Sequence, residues 1–553
     1  MLVHIDIAHK TVGAKELFRN LQLVVQPGQK LGIIGQNGVG KSTLFAMING
    51  QDTDYEGTIQ LKRSTKTVST RQEHHAYEQK NVMEYMLDEL PEYRELHHIL
   101  ETYPHTMGKN IKKIQTYSEA LERFSYLDYY TVEDILKRGL ETFGISQTSA
   151  DGLMSGLSGG QKRFVDLVLV EHSLADIALI DEPTNHMDYA GKAAFISWLQ
   201  KTSMTVLVIT HDRDVLAAVD AIVEIKDKQA YQFNGNYNDY IAQNTIHTTT
   251  KLSDYNVALK TLDNLQRKIM WARARKPSWH GTADQRNPFE VMERRLQKEY
   301  DAVKAANPRP SFWIDRESTQ TLKKEVLRDY EKFKIETIQM GKATAVDRAN
   351  QLITLHEVSL GYNSKPLFQP ISISLEPGGR LRLAGRNGAG KTTLVKALIA
   401  ASKGQEILTL LSGTIQCGKK LRLGVYEQEL PARELTLTLS EAVEQIYRDA
   451  GLPITDQLVK QVLGDYLFDP QHDVHLSVQR LSGGQKARLQ LIRMLAHKPN
   501  VLILDEPTNH LDLPSIEELE NALKSYEGAV VYVTHDSYFA RNMAGSELPL
   551  SST

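Results

Sequence analysis

A single cysteine, Cys417, occurs among 553 residues. That excludes an intrachain disulfide framework and any cysteine-ligated zinc or iron–sulfur cluster. No apolar run approaches the ~18 residues needed to span a bilayer, and mean hydropathy is −0.36. The opening residues, MLVHIDIAHK, have neither the charged leader nor the long apolar stretch of a secretory signal, so a cytoplasmic location is expected. An excess of one charge is also missing. The 65 basic and 68 acidic residues leave −3, which by itself gives no reason to expect nucleic acid. With 41% hydrophobic and 24% charged residues the chain matches an ordinary globular protein, not a disordered one. At roughly 150 residues per domain, three or four units are expected.

What is present is a repeat. LGIIGQNGVGKSTL at 31–44 returns as LRLAGRNGAGKTTL at 381–394, and LSGGQK at 157–162 returns at 481–486. DEPTNHMD at 181–188 matches DEPTNHLD at 505–512, and ITHD at 209–212 matches VTHD at 533–536. The order is the same in both halves, and the signature serine precedes the first carboxylate by 23 residues each time. IALIDE and VLILDE read as buried parallel strands ending in carboxylates. A strand, a glycine loop and a helix open each half, which places both in the α/β class with a mainly parallel sheet.

The glycine loops fit the P-loop pattern. In the first, Gly35, Asn37, Gly38 and Gly40 precede Lys41, Ser42 and Thr43; in the second, Gly385, Asn387, Gly388 and Gly390 precede Lys391, Thr392 and Thr393. Such loops let backbone N–H groups approach the phosphates of ATP at a helix N-terminus, while the lysine reaches the β/γ-phosphates. The hydroxyl of Ser42 or Thr392 is a ligand for Mg²⁺. Asp181 and Asp505 end the apolar strands and are expected to hold that Mg²⁺ through its water shell. The neighbouring Glu182 and Glu506 are the expected polarisers of the attacking water. The plainer alternative makes these glutamates helix-start carboxylates favoured by the dipole.

LSGGQ between a P-loop and a strand-terminal Asp-Glu resembles the signature of ATP-binding cassette proteins. That resemblance implies two P-loop cassettes in tandem that sandwich two ATP molecules head to tail. It implies that Ser158, Gly159, Gly160 and Gln161 serve the ATP on the second P-loop, and Ser482, Gly483, Gly484 and Gln485 the ATP on the first. Gln72, in TRQE, and Gln428, in YEQE, resemble the glutamines that sense Mg²⁺ and the attacking water. His211 and His535 resemble the switch histidines that contact the γ-phosphate. Tyr362, in LGYNSKPLF, suits the aromatic that stacks on adenine, whereas Val12 stands at the corresponding place in KTVGAKELF. Unequal nucleotide affinity is therefore expected.

Three features separate this chain from the pump-driving majority of that family. Both cassettes lie in one chain without a membrane segment, and both carry EPTNHxD, which is characteristic of the F subfamily. The spacing from glutamine to signature serine is 86 residues in the first half and 54 in the second, an insert of 32 within about 88–125. F-subfamily proteins resemble this too, with an "arm" at that point. YSEALERFSYLDYYTVED (117–134) has the look of its return helix, and the turn offers Lys109, Lys112 and Lys113. We expect a first cassette at 1–243, a helical linker at 244–345 and a second cassette at 346–553, shorter at its end because only 18 residues follow His535.

The linker is where the near-neutral average breaks down. Residues 244–340 carry 19 basic and 13 acidic side chains, a net +6, which leaves −9 for the remainder. Leu252, Tyr255, Leu259, Leu262, Leu265 and Ile269 recur at helical spacing, as do Leu322, Val326, Tyr330 and Phe333. An antiparallel projecting pair is expected, with a further helix at 289–306. RKIMWARARK presents Arg267, Lys268, Trp271, Arg273, Arg275 and Lys276 without an acid, followed by Trp279. Cations interleaved with aromatics suit RNA, though a solvated helix end would also be basic.

In the F subfamily this linker enters the ribosome from the tRNA exit site and approaches the tRNA acceptor end. The resemblance thus implies a monomeric ATPase that binds rRNA and tRNA when ATP closes its cassettes. It would modulate translation or displace ribosome-targeting antibiotics, and leave after hydrolysis. A transporter's energy-coupling subunit with separate membrane chains is the alternative, disfavoured by the basic linker and the arm. DNA-repair ATPases that resemble this chain carry cysteine clusters or very long coiled coils, which it lacks.

Overall fold

The computed structural model describes the chain except residues 14, 71–76, 186, 277–286, 308–312, 334–351, 428–429, 471, 497, 510 and 551–553. It divides into two compact units. One comprises Met1–Tyr237 with Ile338–Thr553 and contains both sequence repeats; the other is Asn238–Thr337.

Within the first unit each repeat builds a mainly parallel sheet and a smaller antiparallel one. The first parallel sheet runs Thr67–Ser69, Ile177–Asp181, Thr205–Ile209, Lys30–Ile34, Ala221–Lys226, Gln229–Asn234, with only the last strand antiparallel. Three central strands are buried at every position, as expected of strands covered on both faces. The second sheet runs Leu423–Tyr426, Val501–Asp505, Ala529–Val533, Arg380–Ala384, Ser546–Pro549. Its last strand pairs in parallel with the P-loop strand, as Ala221–Lys226 does in the first sheet. Gln229–Asn234 has no counterpart there among the described residues.

The order of strands decides where chemistry can occur. In each parallel sheet the strand ending in Asp-Glu lies beside the strand ending in Thr-His, which lies beside the P-loop strand. Because these strands pair in parallel, all three C-terminal ends fall on one edge, the place where open α/β sheets bind ligands.

The 32-residue insert is a helical hairpin, Tyr93–Thr106 and Ile111–Tyr126, in which Asn110 caps the second helix through Lys112 and Lys113 N–H. Tyr93, Phe124 and Tyr129 cluster at its base, with edge contacts at 5.3 Å and 5.4 Å. There Arg123 donates two hydrogen bonds to Glu92, at 2.8 and 2.7 Å.

The second unit contains most of a 39-residue helix, Tyr237–Arg275, together with Pro288–Ala306, Arg316–Thr321 and Lys324–Phe333. The expected simple pair is corrected in one respect. Leu252 packs with Ile314, Tyr330, Leu322 and Val326 as the pattern implies, but Leu265 and Ile269 pack against Leu296, Tyr300 and Val303 of the Pro288–Ala306 helix. The long helix outruns its short partner, and its far apolar stripe needs a second cover.

Leu207 lies at the centre of the first sheet and is fully buried. Leu207→Ala should cost about 3 kcal/mol, the transfer and cavity terms of a core leucine. The urea midpoint of the first cassette's transition should fall without a change in its slope.

Candidate active site

The two P-loops fold alike. Gly35, Gly38 and Gly40 have φ of 149°, 79° and 105°, and Gly385, Gly388 and Gly390 have 156°, 83° and 91°. These left-handed and extended-positive angles wrap the loop into a cradle that residues with a Cβ rarely adopt. Lys41 Nζ donates to Gly35 O at 2.7 Å, and Lys391 Nζ to Gly385 O at 2.7 Å. Burial lowers both lysine pKa values. Ser42 donates to Asp181 Oδ2 at 2.9 Å, and Thr392 to Asp505 Oδ2 at 3.2 Å. Thr43 and Thr393 follow, half-buried in the first turn of each helix.

Glu182 and Glu506 begin just past their strands at φ 45° and 49°. That region is unusual for a residue with a side chain and marks strain held by the surrounding fold. Glu182 N donates to Ile209 O and Glu506 N to Val533 O, at 2.8 and 3.0 Å. Each turn therefore ties the glutamate to the neighbouring histidine strand. Burial raises the Glu182 pKa to about 8, offset in part by Lys41. Burial raises Glu506 to about 7, against a hydrogen bond from His535 N at 3.1 Å. Carboxylates held near neutral pH suit a proton acceptor.

His211 is buried, and neither of its ring nitrogens has a hydrogen-bond partner among the described residues. Burial and then Lys41 depress its pKa well below the ordinary value. His535 is held neutral in the same way, with its pKa lowered to about 3. Its Nε2 lies 3.5 Å from Glu506 Oε1, and His211 Nε2 lies 3.8 Å from Glu182 Oε1. A buried imidazole with both nitrogens bare, as in His211, fits a phosphate ligand, because a polar group left bare in the folded protein is costly.

The two repeats meet across these loops. Asn37 N donates to Asp512 Oδ2 at 3.2 Å, and Asn387 N donates to Asp188 Oδ2 at 3.1 Å. Gly484 faces Asn37 so closely that a Cβ there would overlap the asparagine side chain. A signature loop of one repeat thus sits against the P-loop of the other. Asp188 and Asp512 were not singled out from the sequence, although each is the last letter of the repeated DEPTNHxD block.

The remaining sequence candidates are placed as follows. Ser158 accepts from Gln161 N while Gln161 Oε1 accepts from Ser158 N, a capping box at the start of the helix Gly159–Glu171 that ends the loop near Gly160. Ser482 and Gln485 repeat it, beside Gly483. Both glutamine side chains therefore cap helices, a role the resemblance does not assign. Tyr362 and Val12 end corresponding strands, and both are exposed, at 57% and 52%. Gln72, Gln428 and Trp279 lie outside the described residues.

Two P-loops with strand-end carboxylates and buried histidines, each P-loop held by an aspartate of the other repeat, define a tandem nucleotide-binding ATPase. A family model described as "ABC transporter" matches residues 18–185 and 368–509. The chain is 30% identical to the putative ATP-binding protein YdiF of Bacillus subtilis, over all of this chain and 80% of that one. It is 30% identical to the probable ATP-binding protein YheS of Escherichia coli K12, over 96% and 76%. It is 26% identical to ABC transporter F family member 5 of Arabidopsis thaliana, over 98% and 74%. The fold resembles an archaeal ribosome recycling factor aABCE1 in complex with stalk protein aP1, at TM-score 0.57 and 17% identity, over 98% and 87%. The protein belongs to the F subfamily of the ATP-binding cassette family and is an ATPase.

Both glutamates ionise at higher pH in the folded protein than in the unfolded chain, whose value is 4.5. Their contribution is fully present below about pH 4.5 and is lost as pH rises through 7 to 8. Glu182→Gln and Glu506→Gln remove that loss. Each variant should melt a few degrees above wild type at pH 8.5, with the difference vanishing near pH 4.5, as read by calorimetry without nucleotide.

Proposed function

We propose that this ATPase binds the ribosome when ATP closes its cassettes and leaves after hydrolysis. The observation that carries the reading is the helical unit Asn238–Thr337, an addition that ATP hydrolysis does not require. It combines an exposed aromatic with a stacked guanidinium. Trp271 is 47% exposed, Arg275 lies 4.0 Å over its ring, and Phe289 meets its edge at 5.9 Å. Such pairs suit unpaired bases and phosphates.

Not every cation there is free to meet phosphate. Arg273 pairs with Glu293 at 3.0 Å, and Lys276 pairs with the same carboxylate. The acid-free run in sequence thus acquires an acid from the next helix. Arg267 pairs with Asp263, which leaves Arg275 and Lys268 as the stronger candidates near Trp271. On the arm, Lys109 and Lys112 are exposed, and Lys113 leans over the Tyr103 ring at 5.5 Å.

The chemistry proposed at each site follows from its residues. Glu182 and Glu506 orient a water and take its proton, and the P-loop amides and lysines hold the phosphates. His211 and His535, kept neutral, donate a hydrogen bond to the γ-phosphate. Bound Mg²⁺ would be held by Ser42 with Asp181 and by Thr392 with Asp505, and would neutralise charge on the transferred group. Ser158 and Ser482 reach the ATP on the opposite P-loop, and Tyr362 stacks on adenine at the second. No described helix is long and apolar enough to cross a membrane. An archaeal ABCE1 of similar fold is known bound to the ribosome with Pelota, which is consistent with this reading.

Glu182→Gln with Glu506→Gln should lower ATP turnover at least about 100-fold, the usual loss on removing a general base. With ATP the double variant should sediment with ribosomes, and without nucleotide it should not. Failure to co-sediment with ATP would remove the ribosome from the proposal.

A further inference from the structure

The two ATP sites are related by the repeat, yet the contacts between repeats are not symmetric. Asp188 and Asp512 reach the opposite P-loops equivalently. The helix after each aspartate differs. In the first repeat it carries Tyr189 and Lys192; the residues at the same repeat positions in the second are Leu513 and Ile516. Only the first pair can donate hydrogen bonds.

Lys192 uses that ability across the interface. It is buried, at 5% exposure, and its Nζ donates to His535 O at 2.6 Å. Asp212 lies 2.7 Å and Asp214 3.6 Å from the same nitrogen. Burial works against the charge, but Asp212 and its neighbours hold the lysine protonated. Tyr189 adds a second grip. Its ring meets His535 edge-on at 5.3 Å, its hydroxyl lies 3.5 Å from Thr534 O, and the Arg382 guanidinium covers its ring at 5.1 Å.

His535 in turn holds Glu506, through the hydrogen bond from its backbone N. Lys192 of the first repeat thus holds the carbonyl that follows His535 Cα, and the N–H that precedes it holds the carboxylate of the second site. Leu513 and Ile516 cannot donate such bonds toward His211 and Glu182. Among the described residues, the contact between repeats nearest His211 is Arg213 Nη1 donating to Glu520 Oε1 at 3.0 Å, a side-chain pair that does not involve the His211 backbone. Burying an ammonium between repeats is costly, and here the partner it selects is a backbone carbonyl of the switch residue.

We propose that Lys192 and Tyr189 are positioning residues that make hydrolysis at Glu506 depend on docking of the first repeat, while the equivalent positions, Leu513 and Ile516, give Glu182 no such grip. This rests on ATP hydrolysis at both sites and is independent of the ribosome. When the repeats separate, His535 loses its external support and Glu506 loses its aim. When they close, the second site is completed from outside.

The test isolates each site with a single glutamate variant. In the Glu182→Gln protein, where only Glu506 acts, Tyr189→Leu and Lys192→Met should each lower kcat about 10-fold, a scale typical of slight misplacement of a catalytic group. KM for ATP should stay within about twofold, because neither residue belongs to the phosphate cradle. In the Glu506→Gln protein, Tyr189→Leu should leave kcat within about twofold; general weakening of the interface would lower both sites together. Tyr189 is partly exposed, so its truncation keeps the fold testable if Lys192→Met does not express. Equal losses in both backgrounds, or no loss at the Glu506 site, would overturn the proposal alone. A Glu182→Gln protein with no more activity than the double glutamine variant would refute two competent sites, and this proposal with them.

Discussion

Two carboxylate-to-amide hydrogen bonds organise this molecule. Asp512 accepts from Asn37 N and Asp188 from Asn387 N, so each phosphate loop is held from outside by the opposite repeat. A P-loop exposes backbone N–H groups because it must leave them available for phosphate. An aspartate from the other repeat satisfies one of them and sets the distance between repeats. The rest of the site depends on that registration, including the approach of Gly484 to Asn37 and the bond from Lys192 to His535.

The parallel sheet supplies the other half of the arrangement. Because adjacent strands end in Lys-bearing loop, Thr-His and Asp-Glu, residues more than a hundred positions apart converge without any long side chain reaching for another. The convergence carries an electrostatic cost. Two glutamates with raised pKa values and two histidines with depressed ones sit where burial favours the neutral form. A negatively charged ligand and its cation would rebalance these groups, and a site built this way is poised toward binding.

The helical unit follows a different logic. Its helices have small apolar clusters, Leu252 with Tyr330 and Leu265 with Leu296, spaced along one long helix. Past the second cluster lie ion pairs such as Arg273 with Glu293. Exposed pairs of this kind add little stability. Their consequence here is to decide which cations remain on the surface beside Trp271.

Much of the site was readable in the chain because its chemistry is local. Lys41 with Ser42 and Asp181 with Glu182 are each set by neighbouring residues, and the repeat shows both twice; the capping of Ser158 by Gln161 is as local but is seen only in the structure. The unequal motif spacing points to an insert before the first signature, and the prolines of the linker point to a further helix at 289–306. What the sequence could not show were pairings across distance. Glu293 neutralises cations twenty positions away, Ile269 turns to a helix other than the expected one, and Asp188 meets a loop 199 residues on. Lys192 is the clearest case. In sequence it is one lysine on a helix, and only the meeting of the two repeats gives it the His535 carbonyl as a partner. Local motifs follow from bonds within a turn or a strand end, whereas the asymmetry between the sites arises where two separately folded surfaces touch.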